Sequence, residues 1–462
     1  MKIPRILIGA GSSGSGKTLI TCGILQALVN RNKKVASFKC GPDYIDPMFH
    51  SKVIGTASRN LDTFFSGEEI TRYLLQKNAA ECEIAVLEGV MGYYDGVAGT
   101  TTQASAYDLA RITGTPAVLI VNSRGMSVSL AAYIRGFLEY RSDSQIRAVI
   151  FNQMSPMLYP RMKKLVEDEL GVRVLGYVPK VEDCVIESRH LGLVLPEEIP
   201  ALQERLNRLA EILEKTLDME GLLQLAEEAG ELKEIPELSR ISTDFTYRLP
   251  RPLRIGIADD EAFCFFYADN LDLLREMGAQ LIPFSPVRDR TLPEELDGLL
   301  LYGGYPELNG AALEKNETMR ESVRGRIQAG MPCMAECGGF MYLHEEMEDM
   351  DGVFRRMAGV IPGKVYRTGS LKRFGYIHLK DEKCGAYDQA PAHEFHYFES
   401  ENCGTDLYAA KPSGSRGWAC MHRTDTLFAG FPHLYYYGKP SVARQFLESC
   451  LTYHNRRKKK EV

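Results

Sequence analysis

The sequence predicts an α/β protein of two doubly wound domains. Three observations predict it: a length of 462 residues, two separate series of β-branched apolar runs alternating with helical patterns, and a proline-marked break between the series. A chain this long exceeds the roughly 100 to 200 residues of a usual domain, so two or three units are expected. Hydrophobic residues at 45% and charged residues at 25% leave ample apolar material for packed cores.

The first series runs through Arg5-Ile6-Leu7-Ile8, Val35-Ala36-Ser37-Phe38, Ile84-Ala85-Val86-Leu87, Ala117-Val118-Leu119-Ile120-Val121 and Ala148-Val149-Ile150-Phe151. Short apolar strands separated by helical stretches describe a largely parallel sheet covered on both faces. From about residue 200 to 240 the chain is Leu/Glu-rich and helical, then breaks across Ile235-Pro236, Leu249-Pro250 and Arg251-Pro252. We read residues 1–235 as one domain, 236–252 as a linker, 253–455 as a second domain and 456–462 as a basic tail. The second series consists of Leu253-Arg254-Ile255-Gly256-Ile257-Ala258, Gln280-Leu281-Ile282-Pro283-Phe284, Gly298-Leu299-Leu300-Leu301-Tyr302 and Pro332-Cys333-Met334-Ala335. After about residue 350 the chain is richer in Gly, Tyr and His with shorter alternating runs, which predicts an added antiparallel portion. No fixed-period repeat is visible, which disfavours solenoids and propellers.

A formal charge of −6 argues against general nucleic-acid binding, which needs Lys and Arg clustered over a face. The one basic run, Arg456-Arg457-Lys458-Lys459-Lys460, is expected to be a frayed, solvated end. Eleven cysteines without a CxxC pair, and no secretory leader, fit reduced thiols in a cytoplasm. No uninterrupted apolar run approaches the ~20 residues of a membrane span. A homodimer is expected only as the commonest assembly of soluble enzymes.

Gly11-Ser12-Ser13-Gly14-Ser15-Gly16-Lys17-Thr18 matches the P-loop pattern in full, directly after an apolar strand and before a helical run. In such a loop the glycines let backbone N–H groups wrap a phosphate, Lys17 reaches the terminal phosphates, and Thr18 offers a hydroxyl to Mg²⁺. The ligand expected here is therefore a nucleoside triphosphate with Mg²⁺. Glu88 ends an apolar strand before glycines, the crevice position of an open α/β sheet, and could serve the metal directly or through water. Lys39, Asp43 and Asp46 stand just past another strand; each carboxylate, taken singly, fits a helix cap or an exposed position as readily.

In Met331-Pro332-Cys333-Met334-Ala335-Glu336-Cys337-Gly338-Gly339-Phe340-Met341 a strand enters a small-residue turn before a helical pattern, the arrangement of a nucleophile elbow. A helix N-terminus behind the Cys337 sulfur would lower its pKa toward the thiolate, although a buried structural cysteine fits the same residue. Attack by a thiol needs a base and oxyanion donors. His433, after a Pro turn, is the candidate base, with His393-Glu394-Phe395-His396-Tyr397 a rival source. The backbone around Gly304 and Tyr305, together with Gly338, offers the donors.

Together these residues resemble the cobyrinate a,c-diamide synthase family, in which a P-loop amidoligase domain is joined to a class I glutamine amidotransferase-like domain. The resemblance covers nearly the whole chain. It rests on the P-loop, Phe38-Lys39-Cys40-Gly41-Pro42-Asp43-Tyr44-Ile45-Asp46, Ser58-Arg59-Asn60-Leu61-Asp62, Glu88-Gly89-Val90-Met91-Gly92-Tyr93-Tyr94-Asp95-Gly96, Arg189-His190-Leu191-Gly192-Leu193, Ala335-Glu336-Cys337-Gly338-Gly339 and His393-Glu394-Phe395-His396-Tyr397. It implies a P-loop NTPase-like parallel sheet followed by a class I glutamine amidotransferase-like sheet.

The resemblance further implies Cys337 as glutaminase nucleophile and His433 as its base. Lys17, Thr18, Lys39, Asp43 and Glu88 would surround MgATP, with Thr18, Asp43 and Glu88 on the metal. Asp46 and Asp95 would flank the activated carboxylate. Substrate carboxylates need cationic partners, and Arg59, Arg189 and His190 are the candidates chosen for that charge. The wider class carries Glu two places after the catalytic His, whereas Tyr435 stands there, so what orients the imidazole is open. The implied reaction is ATP- and glutamine-dependent amidation of the a and c carboxylates of cobyrinic acid through acyl phosphates, a step of cobalamin biosynthesis. Hydrogenobyrinate or nickel sirohydrochlorin as substrate would use the same parts. A P-loop switch with a degenerate amidase domain is the reading from another class.

Overall fold

The computed structural model describes residues 2–181, 188–189, 192–193, 195–196, 199–233, 235–382, 385–414 and 416–461. The chain forms two compact units, residues 1–235 and 236–462.

In the first unit seven parallel strands stand in the order β3-β2-β4-β1-β5-β6-β7. They are β1 (Arg5–Ala10), β2 (Val35–Cys40), β3 (Arg59–Leu61), β4 (Ile84–Glu88), β5 (Ala117–Asn122), β6 (Ile146–Asn152) and β7 (Arg173–Val178). All six residues of β1 are buried, because helices cover both faces of the sheet, which is why these strands read as unbroken apolar runs. Helix α1 (Lys17–Asn30) follows β1 and α2 (Ile45–Ile54) follows β2. The Leu/Glu-rich stretch forms α3 (Leu202–Thr216), whose Leu202, Leu206, Leu209 and Leu213 make one buried stripe at spacings of three and four.

Arg5 lies wholly buried inside this unit. Its guanidinium donates to Thr115 Oγ1 at 3.1 Å and to the carbonyls of Ile3 at 2.8 Å, Thr113 at 2.6 Å and Gly230 at 2.9 Å. The charge is tolerated because every direction of the fork meets an acceptor. One side chain thereby pins the last stretch of the unit to its first strand.

The second unit is built on a six-stranded sheet in the order β9-β8-β10-β11-β14-β13. Its strands are β8 (Leu253–Ala258), β9 (Ala279–Phe284), β10 (Gly298–Leu301), β11 (Cys333–Glu336), β13 (His422–Arg423) and β14 (Leu427–Gly430). Only β13 runs antiparallel, against β14. Between β11 and β13 the chain makes a largely antiparallel excursion that begins at His344, whose first strand pairs parallel with Ile361–Arg367, and that includes β12 (Ala390–His396). It then returns to place β14 beside β11, with Glu336 opposite Gly430. The two-residue β15 (His433–Leu434) follows at once and pairs with β12, His433 opposite His393. The four strand-like runs of the sequence are thus completed by a pair from nearly a hundred residues downstream, a long-range pairing that no local pattern encodes.

Two expectations are corrected. The stretch 236–252 is not a bare linker: it carries a short helix at Leu238–Ile241 and a 3-10 turn at Thr243–Thr246. Phe245 is buried with its ring 5.6 Å from that of Tyr437, and Asp244 pairs with Arg444 at 3.2 Å. Prolines interrupt the regular backbone there, but side chains still anchor it. The basic end is not frayed either, since helix α5 (Pro440–Glu461) runs through it. Arg457 pairs with buried Asp297 at 3.2 Å and donates to the Leu296 carbonyl at 2.9 Å, while His454 meets the same carboxylate at 2.9 Å.

Replacing Arg5 with Met leaves several buried carbonyls without a donor, so we expect the first unit to lose about 3 kcal/mol of stability. Urea unfolding followed by far-UV circular dichroism reads the loss as a lower midpoint. The single tryptophan, Trp418, lies in the second unit, and its fluorescence assigns the transitions.

Candidate active site

The P-loop spans residues 11–16 between β1 and α1. Gly16, at φ 91°, makes the left-handed turn that starts the helix, a conformation a side chain would strain. Ser12, Ser13 and Gly14 are exposed, and Asn152 from the end of β6 steadies the loop by donating to the Ser15 carbonyl at 2.9 Å. Gly11 leads the loop from β1, beside Tyr133. Lys17 folds back over the loop, donating to the carbonyls of Ser12 at 3.1 Å and Met91 at 2.6 Å. Burial and the neighbouring Lys39 ammonium bring the Lys17 pKa down to about 8.

Behind the loop lies a buried charged cluster. Lys39, at the end of β2, reaches Asp46 Oδ2 at 2.5 Å and Glu88 Oε1 at 2.8 Å. Thr18 Oγ1 donates to the same two carboxylates, at 3.1 Å to Asp46 and 2.8 Å to Glu88. His50, fully buried on α2, holds the other Glu88 oxygen at 2.7 Å and meets Ser37 Oγ at 2.8 Å. Burial opposes ionisation of Glu88, but Lys39 and His50 outweigh it and hold the carboxyl below its ordinary range. For Lys39, burial is likewise outweighed by Asp46 and Glu88, which keep the ammonium charged. Asp46 is pushed the other way, up to about 8, by burial and the Asp43 carboxylate. The two adjacent carboxyls are thus pushed in opposite directions.

The cluster rearranges the roles expected from the sequence. Asp43 does not join Thr18 and Glu88; its Oδ1 accepts from the amides of Ile45 at 2.9 Å and Asp46 at 3.1 Å, capping α2. Asp46, one turn into the crevice, takes that place. Asp95 accepts the Gly92 amide at 2.9 Å in the loop that also supplies the Met91 carbonyl to Lys17. Arg59 begins β3, half-buried. Arg189 lies on a two-stranded hairpin with residues 192–193, and His190 falls outside the described residues. His50 was not singled out from the sequence, although Asp46 and His50 stand four apart on α2 and share a face, the one signal that could have found it.

In the second unit Cys337 links β11 to the short helix α4 (Gly338–Tyr342) at φ 47°, ψ −105°, a strained turn held by its amide donating to the Gly430 carbonyl at 2.8 Å. A Cβ built on Gly303, just past β10, would lie 2.7 Å from His433 Cε1 and 3.6 Å from the Cys337 Cβ. Glycine at 303 leaves open the space between Cys337 and His433 that a side chain would fill. The Gly304 amide nitrogen lies 3.1 Å from the equivalent point on Gly338, so two of the candidate oxyanion donors, Gly304 and Gly338, stand at the same corner, with Tyr305 next in the chain.

The Gly338 amide at the helix N-terminus draws the thiol's pKa down, but it is outweighed. Burial, reinforced by Glu307 and Glu394, pushes the Cys337 thiol well above its ordinary value, and α4 is only five residues long. Burial and the nearby His393 and His396 hold His433 neutral. Both shifts favour the uncharged forms of the pair.

The rival histidines are engaged differently. His396 is fixed by Glu394 at 2.9 Å and the Phe398 carbonyl at 2.6 Å, its ring stacked on Phe431 at 3.9 Å. His393 stacks on His433 at 4.9 Å, with the Tyr267 hydroxyl 3.4 Å from its Nδ1. Tyr435 points to Asp269, its hydroxyl donating at 3.1 Å.

Comparison with known proteins accounts for both halves. Residues 6–193 match the CobQ/CobB/MinD/ParA nucleotide binding domain, and residues 254–440 match the CobB/CobQ-like glutamine amidotransferase domain. Across both, the chain is 35% identical to the cobyrinate a,c-diamide synthase of Caldanaerobacter subterraneus subsp. tengcongensis, over 97% of this chain and 99% of that one. It is 37% identical to the cobyrinate a,c-diamide synthase of Listeria innocua serovar 6a, over 96% and 98%. For that of Thermoplasma volcanium the identity is 34%, over 99% of each chain.

Lys17 is charged below about pH 8 and loses its proton above it, while Asp46 gains a negative charge over the same range. Loss of the Lys17 charge opposes a polyphosphate, whereas ionised Asp46 beside Thr18 favours Mg²⁺, so the phosphate contacts follow Lys17. We expect MgATP affinity, measured by calorimetry, to fall with rising pH above 8, by up to about tenfold per unit for one required proton.

Proposed function

The chain belongs to the cobyrinate a,c-diamide synthase family, and on that footing we propose how its residues amidate the a and c carboxylates of cobyrinic acid with ATP and glutamine. What carries the reading is the pairing, in one chain, of a P-loop backed by a buried Lys39–Glu88 pair with a strained Cys337 packed beside His433.

A carboxylate is a poor acyl donor because its oxygen is a poor leaving group. In the first half-reaction a substrate carboxylate oxygen attacks the γ-phosphorus of ATP; the bond to ADP breaks and an acyl phosphate forms. The P-loop amides and Lys17 hold the transferring phosphoryl group and neutralise its charge. The Thr18 hydroxyl and the Glu88 carboxylate, 2.8 Å apart, are hard oxygen donors of the kind Mg²⁺ takes beside nucleotide phosphates, with Asp46 adjacent. When bound there, Mg²⁺ supplies charge neutralisation of the phosphates. Lys39 keeps Glu88 ionised, and Asp95 with Asp46 borders the place of the activated carboxylate. Arg59, Arg189 and His190 are the cations we assign to the carboxylates of the tetrapyrrole.

In the second half-reaction the Cys337 sulfur attacks the glutamine carboxamide carbon while His433 takes the thiol proton. The amides near Gly304, Tyr305 and Gly338 receive the oxyanion. His433 then protonates the departing nitrogen, ammonia leaves, and water hydrolyses the thioester to glutamate. Ammonia attacks the acyl phosphate, forming the amide and expelling phosphate. A reduced cytoplasm suits a mechanism that depends on a free thiol.

Replacing Cys337 with Ser separates the halves. We expect glutamine-driven amidation of cobyrinic acid, followed by product mass, to fall at least about 1,000-fold, with amidation from ammonium salts kept within about twofold. Loss of both, or of neither, would remove Cys337 from the role. Turnover only on a cobalt-free or nickel tetrapyrrole would keep the chemistry and change the substrate. Neutralising Arg59 or Arg189 should raise the KM for the tetrapyrrole and leave that for ATP unchanged.

A further inference from the structure

We propose that Glu336, the residue immediately before the nucleophile, is the positioning residue that orients His433. The inference rests on the glutaminase reading of Cys337 and His433.

Tyr435 occupies the place two residues after His433 and directs its hydroxyl at Asp269, on the helix spanning Ala268–Glu276. The imidazole is instead approached from β11. Glu336 Oε2 lies 3.8 Å from His433 Nδ1, with both side chains no more than 3% exposed. The same carboxyl accepts the backbone N–H of Leu434. Glu336 therefore touches both residues of β15, the two-residue strand that carries the base. Its other oxygen, Oε1, is buried without a hydrogen-bond partner among the described residues, which leaves the carboxyl free to turn toward the ring.

The connection matters because nucleophile and base come from different sheets. Cys337 follows β11 of the parallel sheet, whereas β15 pairs with β12 of the antiparallel one. Glu336 spans them, and its own backbone is fixed opposite Gly430. Being covalently next to Cys337, it sets the imidazole relative to the sulfur through a single residue of chain. The reach of 3.8 Å is slightly long for a hydrogen bond, as is common before substrate binds.

The groups facing His433 are Glu336 on one side and His393 and His396 from β12, with Glu307 and Glu394 nearer the sulfur. Burial keeps Glu336 protonated at rest. Its carbonyl-type oxygen can then accept the Nδ1–H of a neutral His433, leaving the Nε2 lone pair as the base. No proton passes to Glu336. When Nε2 takes the thiol proton, the same oxygen faces the imidazolium it has oriented.

The test uses the full-length enzyme carrying Glu336→Ala or Glu336→Gln, with glutamate release and ammonia-driven amidation measured on each preparation. Glu336→Ala should lower kcat for glutamine about 100-fold with its KM within about twofold and ammonia-driven turnover unchanged. Glu336→Gln keeps a carbonyl oxygen at the same place and should recover most of that loss. Unchanged glutamine kcat in Glu336→Ala would overturn the proposal, as would a Glu336→Gln enzyme no better than Glu336→Ala, or equal loss of both activities in Glu336→Gln. Cys337→Ser, run alongside, tests the underlying reading separately: full glutamine turnover in that variant would remove the nucleophile whatever the Glu336 variants do.

Discussion

Parallel strand register is the constraint on which the reactive parts of both units depend. In the first unit Lys39 and Ile8 both stand opposite Glu88, so the ends of β1, β2 and β4 bring loop, ammonium and carboxylate to one edge. In the second, Leu301 stands opposite Ala335 and Glu336 opposite Gly430, which sets the turns carrying Gly303, Cys337 and His433 at a common edge. Parallel strands all point their carboxyl ends the same way, so one register aligns several loops at once. A slip in either sheet would separate the groups before any chemistry began.

The two edges have opposite electrostatic designs. The first keeps charges buried and balanced: Glu88 is ionised because Lys39 and His50 are within hydrogen-bond distance, and Lys17 remains for an incoming anion. The second keeps thiol, imidazole and the Glu336 carboxyl uncharged at rest, all through burial. Polyphosphate needs a field already in place, whereas a neutral carboxamide needs a proton that moves only when a carbonyl carbon is in reach.

What the sequence made legible was local. The P-loop, the strand ends carrying Lys39 and Glu88, and the elbow at Cys337 are each contained in about ten residues with a strand on one side and a helix on the other. Asp43 and Asp46 were not separable, because a carboxylate that caps a helix and one that enters a crevice look alike until backbone direction is known. The thiol's environment was misread for a similar reason: burial and the carboxyls of Glu307 and Glu394 come from distant segments and outweigh a five-residue helix. Glu336 was in view beside Cys337, but its place near His433 depends on β14 and β15 returning to the sheet. The stretch 236–252 and the basic end were read from composition alone, which cannot register Phe245 against Tyr437 or Arg457 against Asp297.

The central claim is that one chain couples phosphoryl activation of a tetrapyrrole carboxylate to ammonia released at Cys337. The most direct measurement follows ADP, glutamate and new amide together in one reaction containing cobyrinic acid, MgATP and glutamine. The account predicts equal amounts of all three, with no amide when either ATP or the tetrapyrrole is left out. Amide formed without ADP, or ADP and glutamate released with no change in the tetrapyrrole's mass, would contradict it.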